Sequence, residues 1–433
     1  MNESTAQASH PFKVADFRAY WLARLAMTLG QYAMMLVISW QTYDISRTAG
    51  MSVQGAAGQL ALIGLLQFVP LFLLTPFTGL AADRFDRRRL AQATIMLQFV
   101  CAITLAWLTW NGAITVPWLF AIAVVLGVVR AFNGPALSAL SPNLVPKAIL
   151  PTAIALSSIS WQVGMIVGPA LGGYLHAIVP ALPYGIAATL FALAFLALGT
   201  IRKVPQANIV GVAHPVRQMV DGLQYVVRNK MVLGSITLDL FAVFLAGATA
   251  LFPVYARDIL NVGEEGLAQL AMAPAIGATL TGLFFSFRPL ANNVGPAMLI
   301  AVAVFGVATI VFGLSTSMPL SLAALFVVGS ADMFSVYIRQ SLVQLHTPDD
   351  KRGRVSSVSH LTISASNEFG DFFSGTLAWL IGPVSAVVLG GAGAIATVAI
   401  WSRIFPVLRT TRTFDPPVEL LDTIPENTPR SLP

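Results

Sequence analysis

Residues 79–90 read Gly-Leu-Ala-Ala-Asp-Arg-Phe-Asp-Arg-Arg-Arg-Leu, and this stretch decides the fold class of the chain. One long apolar run ends in it and the next one begins there, so it predicts a tight, charged hairpin between two membrane spans. Lys and Arg resist transfer across the bilayer, which holds such a loop on the cytoplasmic side. The loop therefore predicts a membrane protein and the orientation of the neighbouring spans.

The composition supports a membrane protein along the whole chain. Charged residues make up 10% of the 433 residues and hydrophobic residues 56%, with a mean hydropathy of +0.76. A soluble protein carries about a quarter charged residues, and one or two globular cores could not hide this much apolar surface. The net charge of +6 lies in short clusters between apolar runs, which argues against nucleic-acid binding. Cys101 is the only cysteine, so no internal disulfide can form.

Apolar runs of the length that crosses the hydrocarbon, about 20 residues, predict twelve transmembrane helices. Their approximate ranges are 18–42, 57–82, 89–110, 117–140, 150–177, 181–200, 232–256, 264–287, 294–314, 319–343, 355–379 and 383–403. Nearly all Lys and Arg lie in the tails or in loops after even-numbered spans, and the opposite loops hold only Arg47 and Arg257. The positive-inside rule therefore predicts that both termini are cytoplasmic.

The polar segment after the sixth span predicts a linker between two six-helix bundles. Within it, Val216 to Arg228 has helical apolar spacing, which predicts an interfacial helix. Beyond Phe405 the chain is polar and bears several prolines, which is typical of a disordered tail. The predicted organisation is a cytoplasmic N-terminal tail at 1–17, a bundle at 18–203, the cytoplasmic linker at 204–230, a second bundle at 231–405 and a disordered cytoplasmic tail at 406–433.

A shift of 202 residues superposes the second half of the chain on the first. The matched pairs include Pro117 with Pro319, Gly127 with Gly329, Gly168 with Gly370 and Gly173 with Gly375. An offset of six spans predicts a parallel repeat about an axis along the membrane normal, with the substrate site between the halves near mid-membrane. The same shift matches Arg130 in span four with Asp332 in span ten, two residues of opposite charge at equivalent depths.

Several stretches resemble the major facilitator superfamily of transporters. The loop at 79–90 is similar to its signature loop, with Asp86 in place of a second glycine, and Arg-Ala-Phe-Asn-Gly at 130–134 is similar to its buried-arginine motif. Gly-Met-Ile-Val-Gly-Pro-Ala-Leu-Gly-Gly at 164–173 resembles the glycine-proline motif of drug:proton antiporters. With Arg-Gly-Arg-Val at 352–355, these stretches resemble the branch that contains enterobactin exporters. The resemblance implies an all-α integral membrane fold of twelve helices in two bundles.

Two of these motifs have a physical role beside the resemblance. Small residues at four-residue spacing let helices approach closely, and proline removes a backbone donor. The predicted helix-packing motif is Gly164, Gly168, Pro169, Gly172 and Gly173. The charged loop is expected to latch the bundles on the cytoplasmic side in one conformation, besides setting the topology. The residues of this conformational gate are Gly79, Asp83, Arg84, Arg87 and Arg88.

Charges inside the spans mark a coupling site, because each costs about 2.5–3.5 kcal/mol at the bilayer centre. We expect Arg130 to compensate Asp332 or Asp239, directly or through substrate, and Arg339 to reach the cytoplasmic interface. A carboxylate in apolar surroundings loses a buried charge when it takes up a proton, which biases the inward- and outward-facing states. The proton-coupling candidates are Asp239, Asp332, Glu368 and Asp371, with a static ion pair as the alternative for the first two.

Polar side chains in the first five spans are candidates for the substrate cavity, or else bonds between neighbouring helices. They are Arg24, Gln31, Tyr32, Arg130, Asn133 and Gln162.

The sequence predicts a transporter and not an enzyme. We expect export of a siderophore- or drug-like amphipathic molecule across the inner membrane, by proton antiport and alternating access. Proton-coupled uptake is the alternative within transport, and a membrane enzyme or a non-transporting sensor lies outside it. The sequence holds neither a nucleotide loop nor a metal-spaced cluster, so no cofactor or metal is expected. The expected partners are substrate, protons and the lipid bilayer, with the chain a monomer.

Overall fold

The computed structural model describes residues 10–140, 143–202 and 215–414, and these parts of the chain are almost entirely helical. Twelve long helices, numbered α1 to α12, run over Ala15–Thr48, Val53–Arg84, Arg87–Trp110, Val116–Leu140, Leu150–Ile178, Leu182–Thr200, Lys230–Leu245, Gly263–Phe287, Val294–Leu314, Met318–Leu345, Asp349–Ile381 and Pro383–Ile404. A linker helix occupies Pro215–Arg228, and a short terminal helix occupies Pro406–Thr410.

Eleven helical segments in the described ranges are long and apolar enough to cross a membrane. The segment that begins with α7 runs from Lys230 to Ile259 and so extends beyond the helix itself. The eleventh predicted span is different, because α11 begins with charged and polar residues and only Phe369–Ile381 forms an apolar helix within it. Helices that are apolar on every side have the bilayer as their solvent.

The halves of the molecule meet at one end, here called the distal end, where α1 ends and α2 begins. Phe17, Leu105 and Phe191 belong to a core inside the first half. A second core is shared, because Tyr43 of α1 packs in the same cluster as Tyr255, which follows α7. The distal end is therefore a packed seam between the two halves of the chain.

The repeat predicted from the 202-residue shift is confirmed in the helix packing. Gly127 of α4 lies against the backbone of α2, and its match Gly329 of α10 lies against the backbone of α8. Gly173 of α5 meets α8, and its match Gly375 of α11 meets α2. Equivalent glycines thus make equivalent close approaches within each half and across the distal seam, which a two-fold relation between the halves requires.

Helix α7 is interrupted before it reaches the distal end. The chain leaves α7 at Leu245 and continues through a 3-10 turn at Ala248–Leu251, an α-turn at Phe252–Val254 and a π-turn at Tyr255–Ile259. Broken helices and π-turns occur in transport proteins and functional sites because they re-aim side chains and backbone groups. Here the π-turn brings two charged residues toward the end of α1.

The predicted helix in the linker is confirmed, whereas the predicted tail needs a correction. Residues 406–414 are ordered rather than loose: Leu408 is fully buried, and the amide of Gly295 donates to Thr411 O at 3.1 Å. This segment is ordered because the apolar side chain of Leu408 packs in the hydrophobic core beside α9. Residues 1–9, 141–142, 203–214 and 415–433 lie outside the described parts of the chain.

Candidate functional site

A buried polar cluster lies between α7 and α10. Asp239 of α7 and Arg339 of α10 form an ion pair, with 3.1 Å between Oδ2 and Nη2, and the two residues are 6% and 1% exposed. Asp332 and Ser335 precede Arg339 by two turns and one turn on α10, and with Asp239 they line a cavity of about 10 Å³. That volume suits about one water molecule. Two carboxylates and a hydroxyl therefore share one small cavity, beside a buried guanidinium.

Arg339 is the functional residue that the sequence pattern placed wrongly. It was expected to reach the cytoplasmic interface, but it is buried and paired with Asp239. A guanidinium inside a span needs a counter-ion, and Asp239 supplies it from the neighbouring helix. Within the described residues, Nε and Nη1 of Arg339 and Oγ of Ser335 have no hydrogen-bond partner. The ion pair with Asp239 is therefore the main interaction that stabilises the buried charge of Arg339, because an arginine does not lose its proton.

The two arginines predicted for the cavity lie in the first half of the molecule. Arg130 of α4 is half-buried, and its Nη1 donates to Oε1 of Gln67 on α2 at 3.4 Å. Arg24 of α1 is also half-buried, and its Nη1 donates to the hydroxyl of Tyr20 at 2.8 Å. Asp239 takes its counter-ion from its own half. The first half therefore presents cations, whereas the second holds a carboxylate cluster.

Two of the predicted polar residues bond between helices. Gln31 of α1 accepts from Gln98 of α3 at 3.4 Å. Asn133 of α4 donates to the sulfur of Met27 at 2.8 Å and accepts from Thr94 at 3.4 Å. These contacts hold α1, α3 and α4 together, which is the alternative that the sequence left open for such side chains.

The glycines of α5 form a smooth face against α1. The residues of this face are Gly164, Gly168 and Gly172. A Cβ added at Gly168 would lie 2.6 Å from Cβ of Tyr32, so only glycine permits the present approach. Pro169 lies inside the same helix. Tyr32 of α1 is half-buried at this contact. Gln162 is half-buried on α5, shortly before the glycines. Gly164, Gly168 and Gly172 therefore pack α5 on α1, whereas Gly173 of the predicted motif packs against α8.

The carboxylate candidates on α11 lie near the seam between the halves. Asp371 is half-buried and accepts from Oγ1 of Thr249, in the break after α7, at 3.0 Å. Phe369 stacks between the halves, with ring centroids 5.4 Å from Phe68 of α2 and 5.3 Å from Phe244 of α7. The side chain of Glu368 lies outside the described residues. Asp371 is thus separate from the cluster around Asp239.

The charged loop at 79–90 is described only in part. The burial and contacts of Gly79, Asp83 and Arg84 lie outside what the structure describes. Asp86 caps α3, because its Oδ1 accepts from the amides of Arg88 and Arg89 at 2.9 and 3.3 Å. Asp86, the position where the loop departs from the signature it resembles, thus has a structural role as the N-cap of α3. Arg88 also donates to the carbonyl of Ile201 after α6, and Arg87 is half-buried.

Two ion pairs that sequence reasoning missed join the halves at the distal end. Arg47 of α1 pairs with Asp258 of the π-turn at 2.7 Å, and Tyr43 donates to the same carboxylate. Arg257 of the π-turn pairs in return with Asp44 of α1. A signal was present in the sequence, because Arg47 and Arg257 are the only basic residues of the predicted outer loops, each close to an aspartate.

The fold, the broken α7 and the buried charges define the class: a major facilitator transporter, and not an enzyme. The chain belongs to the transmembrane secretion effector family, whose model matches residues 6–417.

Relatives and solved structures agree with this family. The enterobactin exporter EntS of Citrobacter koseri is 26% identical over 401 residues, covering 90% of this chain and 87% of the relative. The Escherichia coli O1:K1 / APEC exporter of the same name is 25% identical, covering 96% and 97%. A POT family transporter solved with a thioalcohol-conjugated peptide superposes with a TM-score of 0.72 at 13% identity, over 94% of this chain and 99% of its own. An inward-facing bacterial homologue of the human lysosomal transporter Spinster gives 0.66 at 17% identity, over 92% and 99%.

Proposed function

We propose that this transporter exports a small amphipathic molecule from the cytoplasm in exchange for protons. The observation that carries the proposal is the buried cluster of Asp239, Asp332 and Arg339 in an otherwise apolar set of helices. Ionisable residues within membrane spans are expensive and mark ion or substrate pathways. The relatives named as enterobactin exporters support export as the direction and a siderophore-like molecule as the cargo.

Asp332 is the proton carrier in this proposal. The guanidinium of Arg339, 3.1 Å away, favours the carboxylate form of Asp239, whereas Asp332 makes no ion pair with the described residues and lines the same cavity. With a proton on Asp332, the three side chains sum to zero charge. Loss of that proton leaves two carboxylates beside one guanidinium. Protonation of Asp332 thus changes the buried net charge by one. In this proposal Asp332 binds its proton with different affinity in the inward- and outward-facing states, which is the requirement for coupling.

Alternating access proceeds in this proposal by rocking one half against the other. The packed distal seam supports it, because the present arrangement closes that end through Gly173 of α5 against α8 and through the reciprocal ion pairs. Opening the distal end would break Arg47–Asp258 and Arg257–Asp44 together. The cytoplasmic loop with Arg87 and Arg88 would form the opposite closure once the distal end has opened. Glu368 and Asp371 remain secondary candidates for the proton path.

The full topology is part of the proposal. Twelve spans with cytoplasmic termini follow if α11 also crosses the membrane, and its close contacts with α2 through Gly375 shield part of its length from lipid. The bundles then comprise 18–203 and 231–405, in a monomer of the inner membrane.

The cargo proposed here is an amphipathic acid that bears aromatic groups. Arg24 and Arg130 supply positive charge in the first half. Phe68, Phe244 and Phe369 supply an aromatic surface across the seam. A ring face favours offset or edge contacts with another ring, and a guanidinium binds carboxylate or phenolate oxygens.

A reconstituted transport assay tests the proposal. The purified chain is placed in liposomes that contain a pH-sensitive dye, a pH gradient is imposed, and siderophores or amphipathic drugs are added. We expect substrate-dependent proton movement in the opposite direction to the substrate, abolished by Asp332→Asn. Glu265→Gln, at an exposed carboxylate at the start of α8, is the control that keeps full activity. Substrate flux without proton flux would refute the coupling, and flux of both in one direction would establish uptake by symport.

A further inference from the structure

Helices α5 and α8 touch through a short contact at the distal end. A Cβ added at Gly173 would lie 2.5 Å from Cβ of Ala268, and Nε2 of Gln269 donates to the hydroxyl of Tyr174 at 3.1 Å. The contact lies in the last turns of α5 and the first turns of α8. Residues earlier in α5 and later in α8 therefore lie opposite each other, and the four contact residues show which faces of the two helices point toward one another.

Apolar residues continue these two faces away from the contact, and they are exposed. Ile159 and Val163 of α5 are 51% and 36% exposed, and Ile276 and Leu283 of α8 are 37% and 51% exposed. With 3.6 residues per turn, each of the four points between the directions of the two contact residues on its own helix. Ile159 and Leu283 both lie about 20 Å along their helices from the contact, at a rise of about 1.5 Å per residue. These four residues, here called the apolar wedge, thus line an open gap between α5 and α8.

The equivalent seam between α2 and α11 is bridged by aromatic rings. Phe68 of α2 and Phe369 of α11 have ring centroids 5.4 Å apart. The 202-residue shift matches Phe369 with Val167 of α5 and Phe68 with Leu270 of α8. Neither match carries a ring, and Val167 is 39% exposed. The two halves therefore approach each other differently on their two sides, and the apolar wedge lies on the side with the smaller side chains.

A cation of α1 lies at the level of the apolar wedge. The indole of Trp21 donates to Leu156 O at 2.8 Å, and the hydroxyl of Thr28 donates to Ser160 O at 3.4 Å. These two bonds hold the stretch of α1 between them beside the part of α5 that carries the wedge. Arg24 belongs to that stretch and is half-buried. An apolar opening and a guanidinium thus share one level of the molecule.

We infer that the apolar wedge is a lateral portal through which an amphipathic acid enters the transporter from the cytoplasmic leaflet. The inference rests on the proposed export of such a molecule and names its route. Amphipathic molecules collect at the boundary between headgroups and acyl chains, so an opening to lipid takes the cargo from where it is concentrated. Its apolar part passes between Ile159 and Leu283, and its acid group is drawn to Arg24, because a guanidinium binds carboxylate oxygens in paired hydrogen bonds.

Fluorescent labels on the apolar wedge test the portal in the full chain. Cys101 is the only native cysteine and is buried, so bimane is attached at Ile159→Cys or Leu283→Cys in a Cys101→Ser background, in lipid nanodiscs. The probe is stearic acid with a quenching nitroxide on its chain, at a pH at which the acid is ionised. We expect this probe to quench both labels, and iodide in the water to quench neither. Quenching by iodide alone would show a water-filled gap and would overturn the portal.

The methyl ester of the same probe separates an acid route from ordinary lipid exposure. The matched control is a label at Leu196→Cys on α6, where Leu196 is 63% exposed. Its level is close to that of Arg24, because Gly30 of α1 meets Phe191 of α6. We expect the ratio of acid to ester quenching to be higher at the wedge than at the control by up to about fivefold, the factor that a charge pair accessible to water supplies. Equal ratios at all three labels would show lipid chains alone in the wedge and would refute the acid route.

Variants of Arg24 test where the acid group goes. Arg24→Gln should remove the preference for the acid at the wedge labels, and Arg24→Lys should keep it, because the charge remains. An unchanged preference in Arg24→Gln would refute the part assigned to Arg24. The quenching needs no transported cargo, so the two proposals fail separately. Export in the liposome assay without nitroxide quenching at the wedge would refute the portal alone.

Discussion

Neutralising Asp239 is expected to destabilise the protein strongly, because it leaves Arg339 charged and buried. The pair is 3.1 Å apart, and Arg339 is 1% exposed. An arginine cannot release its proton in a protein. In Asp239→Asn, Arg339 therefore stays charged but has lost the carboxylate that forms its ion pair. Removing one partner of a buried ion pair costs about 3–5 kcal/mol. We therefore expect Asp239→Asn to lower the free energy of unfolding by about that amount.

The assay is a double-mutant cycle on the purified chain. The free energy of unfolding is measured by denaturant titration for the native protein, Asp239→Asn, Arg339→Met and the double variant. Replacing both partners of a buried pair by neutral groups is often neutral, so the double variant should be more stable than Asp239→Asn. Asp332→Asn is the matched control, since it neutralises a carboxylate on the same cavity without breaking the pair. Additive effects, or a loss below about 1 kcal/mol in Asp239→Asn, would refute the reasoning.

Three further predictions concern the seam, the glycine contacts and one histidine. Arg47→Gln should favour opening of the distal end by tenfold or less, because an ion pair that water still reaches contributes about 0.2–1 kcal/mol, and the side chains of Arg47 and Asp258 are 26% and 18% exposed. Label-to-label distances across the seam should lengthen, and exchanging the charges of Arg47 and Asp258 should restore them. Gly173→Leu should prevent the close approach of α5 and α8, where an added Cβ would lie 2.5 Å from Ala268 Cβ, and so shift the same distances, whereas Gly185→Leu should not, because nothing lies within 4 Å of that site. Burial lowers the pKa of His346, directly after α10, although its bond to the carbonyl of Leu342 opposes this; its contribution to stability is therefore full above the usual pKa of about 6.5 and is lost as the pH falls toward the folded pKa. The melting temperature of His346→Gln should accordingly fall less on acidification than that of the native protein, and parallel melting curves would contradict this.

Much of the architecture follows from pattern. The apolar runs predict the helices, because in lipid the backbone N–H and C=O groups must bond to one another. The repeat was visible in the glycines at 127, 173, 329 and 375, because the close helix approaches at these positions require glycine. The sequence predicted two segments less accurately, the one after Phe405 and α11, because each combines apolar with polar residues. Leu408 is apolar and packs back on α9, in a segment whose prolines and polar residues favour a tail. Helix α11 carries so many charged and polar residues that only Phe369–Ile381 is an apolar helix within it.

The sequence by itself determined the membrane class, the repeat and the family, since each is written in composition, periodicity or local spacing. Which charges meet was decided only by the tertiary structure. Arg339 pairs with Asp239 across 100 positions of sequence, and Arg47 pairs with Asp258 across 211. Charge attraction has no sequence period, and a partner is chosen by which helix faces pack together. Here the break in α7 brings Asp258 to Arg47, and the packing of α10 against α7 brings Arg339 to Asp239.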